Sequence, residues 1–264
     1  IPRLARRRVL RASVAGIALL QVALLVTAGW HLHAAGWTLP AAIAAMVLLG
    51  LFVQLTLAAT TFLIKWLMGD WPAQTRGSIA RWLPLATVEV FWTLRLFLFD
   101  QPWRRAPRWI FPGDQRAPIL LVHGFVCNGA VWRPLSKHLL NAGRSHIAVC
   151  LEPTYRHFEQ QLEVLDGAVQ ALAKRTGKVR VVLIGHSMGG LLARAYAERF
   201  PQCCAGLISV GAPHHGTALG DLIHGVEHGP PSPRCRWLQA LNQRSGERIE
   251  VPALNLWSAD DNIV

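Results

Sequence analysis

Charged residues are scarce in this sequence: Asp, Glu, Lys and Arg make up 16% of the 264 residues, whereas hydrophobic residues make up 52%. This composition is too apolar for an average soluble domain. Residues 12–64 contain no Asp, Glu, Lys or Arg. Because an uncharged apolar stretch of that length exceeds what one membrane crossing needs, it predicts insertion into a bilayer.

The five cysteines predict neither a disulfide framework nor a zinc site. An odd number cannot pair completely, and the adjacent Cys203 and Cys204 match no zinc-ligand spacing. This usage is typical of free thiols in a reducing compartment. We therefore predict no metal site and no cofactor.

Motifs for nucleic-acid binding are also lacking, including the helix-turn-helix, the zinc finger and the aromatic RNA-binding motif. The net charge of +12 comes in part from five arginines within residues 3–11, directly before the apolar stretch. Anionic lipid headgroups are therefore the predicted partner of this charge, and nucleic acid is not.

Two apolar segments, at about Val9–Trp30 and Leu39–Ile64, are each long enough to cross ~30 Å of hydrocarbon as a helix. Arginines precede the first segment and basic residues follow the second, whereas the loop between them has no Lys or Arg. This asymmetry predicts a transmembrane helical hairpin, residues 1–69, with both ends cytoplasmic. A cleaved signal peptide is the alternative for the first segment, since it has a basic start and small residues after the apolar run.

Residues 70–116 are predicted to be a bridge that consists of an interfacial helix and a basic linker. The helix, Ile79–Phe99, mixes large apolar side chains with internal charges and contains Pro84, which favours lying on the membrane surface over crossing it. A third membrane span and a helix packed on the following domain are the alternatives. The linker, Gln101–Arg108, is basic and interrupted by proline.

From Ala117 onwards, short apolar runs alternate with helical patterns, which predicts a parallel sheet covered on both faces. One helical pattern is the apolar spacing of four, three, four and three from Phe158 to Leu172. The predicted strands are Ile119–Val122, Ile147–Leu151, Val179–Ile184, Leu207–Val210 and Ala253–Trp257. The other predicted helices are Ala130–Leu140 and Met188–Phe200.

The most informative motif is Gly-His-Ser-Met-Gly at residues 185–189, directly after one of these strands. The pattern G-x-S-x-G is typical of a nucleophile elbow, a sharp turn from strand to helix that exposes one serine at its apex. A strand before the motif and a helix after it supply the context that the elbow requires. Ser187 is therefore a candidate nucleophile, and a chance Ser-Gly turn is the alternative.

Four motifs together resemble the α/β-hydrolase superfamily and, within it, bacterial triacylglycerol lipases and related carboxylesterases. They are His-Gly-Phe at 123–125, the elbow, Gly-Ala-Pro-His-His-Gly-Thr at 211–217 and Asp-Asn-Ile-Val at 261–264. The resemblance covers about Ala117–Val264 and implies an α/β fold of the α/β-hydrolase type, a mostly parallel sheet with helices on both faces. The preceding transmembrane hairpin is not part of the lipase pattern.

The resemblance also implies roles for individual residues. Ser187 would attack an ester carbonyl, and the backbone amides of Met188 and Phe125 would form the oxyanion hole. The substrate pocket would be surrounded by His123, Gly124, His186, His214 and His215. The side chain of His186 is expected to point away from the nucleophile. A tight turn after a strand is the alternative for His123 and Gly124.

The catalytic acid is predicted to be Asp261, because its spacing to the following aliphatic residues matches the family pattern better than that of Asp260. In this family the histidine base follows the acid, and no histidine follows Asp261 here. We therefore expect the hydrolase domain, 117–264, to be truncated at its C-terminus and to lack its base. The long connection at about 219–252 is predicted to be a small cap, with a surface excursion as the alternative.

These features predict a membrane-anchored serine hydrolase of the lipase or carboxylesterase type (EC 3.1.1). Its predicted substrates are lipid or acylglycerol esters or small esters, and its predicted partner is the bilayer. A multi-pass protein of the bacterial inner (plasma) membrane with a cytoplasmic hydrolase domain is expected. A thioesterase or amidase of the same fold and a catalytically silent interaction module are the alternatives, and no feature of the sequence sets the oligomeric state.

Overall fold

The computed structural model describes residues 19–68, 79–125, 127–151, 157–217, 232–245 and 249–258. These residues form two compact units, one that ends at Trp103 and one that begins at Arg104. The division falls within the segment 70–116 that the sequence assigns to a bridge. Each unit is described separately below.

The first unit contains an antiparallel pair of apolar helices, α1 (Leu19–Ala34) and α2 (Leu39–Met68). The two helices pack at glycines, since a β-carbon on Gly29 would collide with the side chain of Met46 and one on Gly50 would touch the side chain of Leu25. Among the described residues, α2 is the one helix long and apolar enough to cross a membrane. The helical hairpin is thus present, and its insertion into a bilayer stays a prediction.

The first unit continues with α3 (Ile79–Leu94), the π-helical segment Arg95–Asp100 and the short helix α4 (Gln101–Trp103). The guanidinium of Arg95 lies 3.2 Å from the carboxylate of Asp100 and 5.0 Å from the ring centre of Trp92. The helical structure therefore runs beyond the predicted end at Phe99. The prediction that the linker begins at Gln101 was wrong, because residues 101–103 are helical.

The second unit is built on a six-stranded mixed sheet in the order β1-β3-β2-β4-β5-β6. All neighbouring pairs are parallel except β1 and β3, which are antiparallel. The strands are β1 (Arg108–Trp109), β2 (Ile119–Val122), β3 (His146–Val149), β4 (Val181–His186), β5 (Cys204–Val210) and β6 (Ala253–Leu256). The helices are α5 (Arg133–Asn141), α6 (Phe158–Thr176), α7 (Met188–Arg199) and α8 (Arg236–Ser245).

Apolar side chains cover both faces of this sheet, which explains why its central strands are continuous apolar runs. Leu120 of β2 points into a cluster with α6, α7 and α8, whereas the next residue, Leu121, points into a second cluster with α5. Successive residues of a strand face opposite sides, so both sides of β2 are buried. The predicted parallel sheet with helices on both faces is confirmed.

The last strand in the order, β6, differs from the central strands because its side chains are exposed on both faces. Leu254 and Leu256 are 52% and 46% exposed, and Trp257 directly after the strand is 73% exposed. The sheet therefore has an apolar edge in the described part of the chain.

Helix α8 lies in the second half of the segment predicted to be a cap. Leu238 and Leu241 are fully buried in the main core, and Trp237 stacks on Phe158 with ring centres 4.1 Å apart. These contacts anchor α8 to the sheet domain. The first half of the predicted cap, residues 219–231, lies outside the described residues.

Candidate active site

The turn between β4 and α7 places Ser187 in a strained backbone conformation. Its φ of 52° and ψ of −129° make it the one non-glycine residue with positive φ among the described residues. The amide of Ser187 donates to the carbonyl of Val210 at 2.9 Å, and its own carbonyl accepts from the amide of Gly190 at 2.8 Å. These bonds hold a conformation that costs about 1–3 kcal/mol, as occurs at functional turns.

Two glycines allow the turn to close. A β-carbon on Gly185 would overlap the backbone of Gly189 and Gly190, and one on Gly189 would lie 2.5 Å from the carbonyl oxygens of Val122 and His123. The start of α7 therefore packs directly on the end of β2. This packing brings the His-Gly-Phe loop to the elbow, and a β-carbon on Gly124 would lie 3.0 Å from that of Ser187.

The two predicted oxyanion donors come from these adjoining segments. Met188 is the first residue of α7, where the helix supplies no acceptor for the backbone amide. Phe125 follows Gly124 and is half-buried against the main core. The positive end of the α7 dipole also faces the elbow, which favours negative charge there.

The imidazole of His123 is fully buried, and its role in lining the substrate pocket stays a prediction. Its Nε2 accepts from the amide of Leu151 at 2.9 Å, and Nδ1 lies 2.9 Å from the carbonyl of Gly124. Because a carbonyl only accepts, Nδ1 carries the proton and the ring is neutral. Burial lowers the pKa of His123 to about 4, the Gly124 carbonyl opposes this shift, and nearby His186 adds to it.

The buried His123 predicts a loss of stability in mild acid. Its folded-state pKa of about 4 lies below the ordinary value of 6.5, so the unfolded chain binds the proton first as the pH falls. We expect the His123 contribution to fall by about 2–3 kcal/mol between pH 7 and pH 4.5. Thermal unfolding of His123→Gln should show a weaker pH dependence over that window. The matched control is His138→Gln on the exposed side of α5, and equal slopes in all three proteins would contradict the prediction.

The ring of His186 packs edge-on against Trp132, with ring centres 6.4 Å apart. It also lies near Gly124, since a β-carbon there would be 3.4 Å from Nδ1 of His186. His186 thus lies beside the His-Gly-Phe loop. Trp132 was not among the predicted site residues. The sequence feature that could have identified it is its position in the first helical turn after the His-Gly-Phe motif.

The loop at 211–217 follows β5 and is fixed through His214. Nε2 of His214 lies 3.1 Å from the hydroxyl of Ser209 on β5, and that hydroxyl donates to Asn255 on β6 at 2.9 Å. Burial lowers the pKa of His214 to about 4, electrostatic interactions with Arg194 and with His215 add to this effect, and a hydrogen bond with Asn255 opposes it. His214 is therefore neutral near pH 7, and the neighbouring His215 is exposed.

Ser209 and Asn255 were also not among the predicted site residues. Each is a polar residue within an otherwise apolar strand. Such an interruption is a signal that a buried polar partner lies nearby, since buried polar groups need hydrogen bonds.

The described residues do not include the predicted catalytic acid, and they do not identify a histidine base. Asp261 and the alternative Asp260 lie outside them. Within the described ranges, the Ser187 hydroxyl has no hydrogen bond to a histidine ring, and no group of His, Cys, Asp and Glu could hold a metal ion. The described part can therefore present a nucleophile and two amide donors.

Residues 117–231 match the family described as the alpha/beta hydrolase fold. The match and the sheet order confirm the predicted α/β-hydrolase fold. In this chain 116 residues are 33% identical to a triacylglycerol lipase of Vibrio cholerae, over 42% of this chain and 37% of the lipase. A triacylglycerol lipase of Pseudomonas fragi is 33% identical over 115 residues, which cover 42% of this chain and 39% of that lipase.

Epoxide hydrolase 3 of Xenopus tropicalis is 34% identical over 113 residues, which cover 40% of this chain and 30% of that enzyme. The aligned part of the chain thus spans between 30% and 39% of the length of these three relatives. The names of these relatives specify different substrates, triacylglycerols for two of them and an epoxide for the third.

Proposed function

We propose that this chain, whose residues 117–231 match the alpha/beta hydrolase fold, is a serine hydrolase of carboxylic esters that forms an acyl-enzyme on Ser187. The observation that carries the proposal is the strained backbone of Ser187 at the start of α7. Positive φ at a serine between a strand and a helix costs free energy of folding. Such strain is typical of a turn that exposes a reactive side chain.

In the proposed mechanism the Ser187 hydroxyl attacks the ester carbonyl while a general base removes its proton. The amides of Met188 and Phe125 would then donate hydrogen bonds to the oxyanion. Each such donor contributes about 3–4 kcal/mol to transition-state stabilisation. The proposed acid is Asp261, and the proposed base is a histidine that follows the acid along the chain, as the family pattern requires. The neutral rings of His123 and His214 are engaged with other groups, so neither is proposed for this role.

The proposed substrates are lipid or acylglycerol esters. Two of the three relatives described above bear the name triacylglycerol lipase, which supports an acylglycerol ester as substrate. The apolar helix α2, with exposed Leu48 and Phe52 among its side chains, supports anchoring in a bilayer. We further propose an inner-membrane location with the hydrolase domain in the cytoplasm, on the distribution of arginine and lysine around the apolar segments.

A fluorophosphonate probe tests the proposal, because it labels only a serine that is activated as a nucleophile. In the full-length protein, we expect labelling of wild type at Ser187 and no labelling of Ser187→Ala, with peptide mass spectrometry as the readout. The exposed Ser258 provides the matched control, since Ser258→Ala should label like wild type. An unlabelled wild-type protein would favour the silent interaction module. Separation of the labelled sample into membrane and soluble fractions tests the anchoring.

A further inference from the structure

A partly buried chain of hydrogen bonds connects α7, the helix that begins after Ser187, with the loop at 211–217. Arg194 on α7 is 8% exposed, and its Nε lies 3.0 Å from the carboxylate of Glu198 one turn later. Its Nη1 donates to Oδ1 of Asn242 on α8 at 2.8 Å. The Nδ2 of Asn242 in turn donates to the carbonyl of His214 at 2.9 Å.

The two partners of Asn242 fix the orientation of its amide. A guanidinium only donates and a backbone carbonyl only accepts, so Oδ1 must face Arg194 and Nδ2 must face His214. An aspartate at this position could keep the first bond, but it has no proton for the second. Its carboxylate would also face the His214 carbonyl oxygen, which is an unfavourable contact between two acceptors.

A second contact joins the same two segments. Gly216 has a φ of 90°, and a β-carbon there would lie 2.6 Å from the carbonyl carbon of Ser232. The loop at 211–217 is thus held by the segment 232–245 at Gly216 as well as at His214. The ring of His214 bonds to Ser209 on β5, and the backbone carbonyl of His214 bonds to Asn242 on α8, so the loop is attached to both elements.

We propose that Asn242 is a positioning residue that sets acyl-chain selectivity, because it couples α7 to the loop at 211–217, whose His214 and His215 are predicted to lie at the substrate pocket. The selectivity rests on the proposed ester hydrolysis, whereas the coupling itself does not. Asn242 touches neither Ser187 nor the predicted oxyanion donors in this arrangement. Its loss should therefore loosen the loop and leave the chemical step nearly unchanged.

The decisive variant is Asn242→Asp, compared with Gln243→Glu, which makes the same amide-to-carboxylate change at an exposed neighbour on α8. In the full-length protein, hydrogen exchange of peptides that cover residues 211–217 should accelerate by about fivefold or more in Asn242→Asp and stay at the wild-type rate in Gln243→Glu. This measurement does not depend on catalysis. Unchanged exchange in a folded Asn242→Asp variant would overturn the coupling.

Kinetics with p-nitrophenyl acetate, butyrate and octanoate test the selectivity. We expect Asn242→Asp to raise KM for octanoate by about five- to tenfold, with kcat within about threefold of wild type and a smaller change for acetate. A parallel loss of kcat for all three esters would overturn the proposed role and indicate a general structural defect. If Asn242→Asp does not fold, Asn242→Ser takes its place under the same criteria.

The outcomes also separate this proposal from the proposed function. A wild-type protein that hydrolyses none of the esters but shows faster exchange in Asn242→Asp would refute ester hydrolysis and retain the coupling. Wild-type hydrolysis with the same ester preference in every variant would refute the role of Asn242 and retain ester hydrolysis.

Discussion

Replacement of Ser187 by alanine is expected to lower the kcat for ester hydrolysis by about 10⁴-fold or more in the full-length protein. The reason is chemical: without the hydroxyl no acyl-enzyme can form, and only the amide donors and substrate binding remain. The measurement is steady-state hydrolysis of p-nitrophenyl butyrate. Circular dichroism and the unfolding midpoint should stay close to wild type, since alanine keeps the β-carbon and meets the same backbone constraint.

Ser187→Gly is the informative companion of this variant. It also lacks the hydroxyl, but glycine adopts a φ of 52° without the penalty that a β-carbon imposes. We expect the same loss of activity together with an unfolding midpoint a few degrees above that of Ser187→Ala, because strain relief of about 1–2 kcal/mol exceeds the added freedom of the unfolded chain. An alanine variant that retains a tenth of wild-type activity would contradict the assignment of the nucleophile.

Replacement of Gly189 by alanine is expected to lower kcat by about 10²–10³-fold. The new β-carbon would lie 2.5 Å from the carbonyl oxygens of Val122 and His123, both of which are backbone atoms that cannot rotate away. The end of β2 and the start of α7 must then separate. Because Phe125 follows β2 and Met188 begins α7, this movement pulls apart the two proposed oxyanion donors.

The matched control for this prediction is Gly167→Ala, the same change within α6, where a β-carbon would meet nothing within 4 Å. Alanine in an open helix position is favourable by about 0.5–1 kcal/mol, so this variant should be slightly more stable and equally active. Ester hydrolysis and thermal unfolding of both variants check the prediction. Normal activity in Gly189→Ala would show that the two segments can shift without disturbing the site.

The sequence predicted the sheet well because the information for buried parallel strands is local. Their apolar runs and the helical spacing from Phe158 to Leu172 both reflect burial, and all five predicted strands are present with ends shifted by at most three residues. The edge strand β1 went unpredicted, since Arg108–Trp109 is too short to show alternation. Its position follows from pairing with β3, a contact between residues distant in the sequence.

The same distinction applies to the site. The elbow could be predicted because glycine spacing around Ser187 is a local requirement of the turn. The position of His123 behind its loop could not be predicted, since it depends on Leu151, which is distant in the sequence. The hydrogen bonds from Arg194 through Asn242 to His214 join three separate segments. Their one local signal in the sequence is a charged residue on the buried side of α7.

The exposed strand β6 has a consequence for the behaviour of the protein in solution. Within the described residues β6 pairs with β5 alone. A strand at the edge of a sheet can pair with another chain, and apolar side chains such as Leu254 and Leu256 make that addition favourable. The net charge of +12 opposes it by mutual repulsion between molecules. Salt weakens this repulsion, because the screening length falls to about 10 Å at 0.1 M ionic strength. Self-association through β6 should therefore increase with ionic strength and with protein concentration.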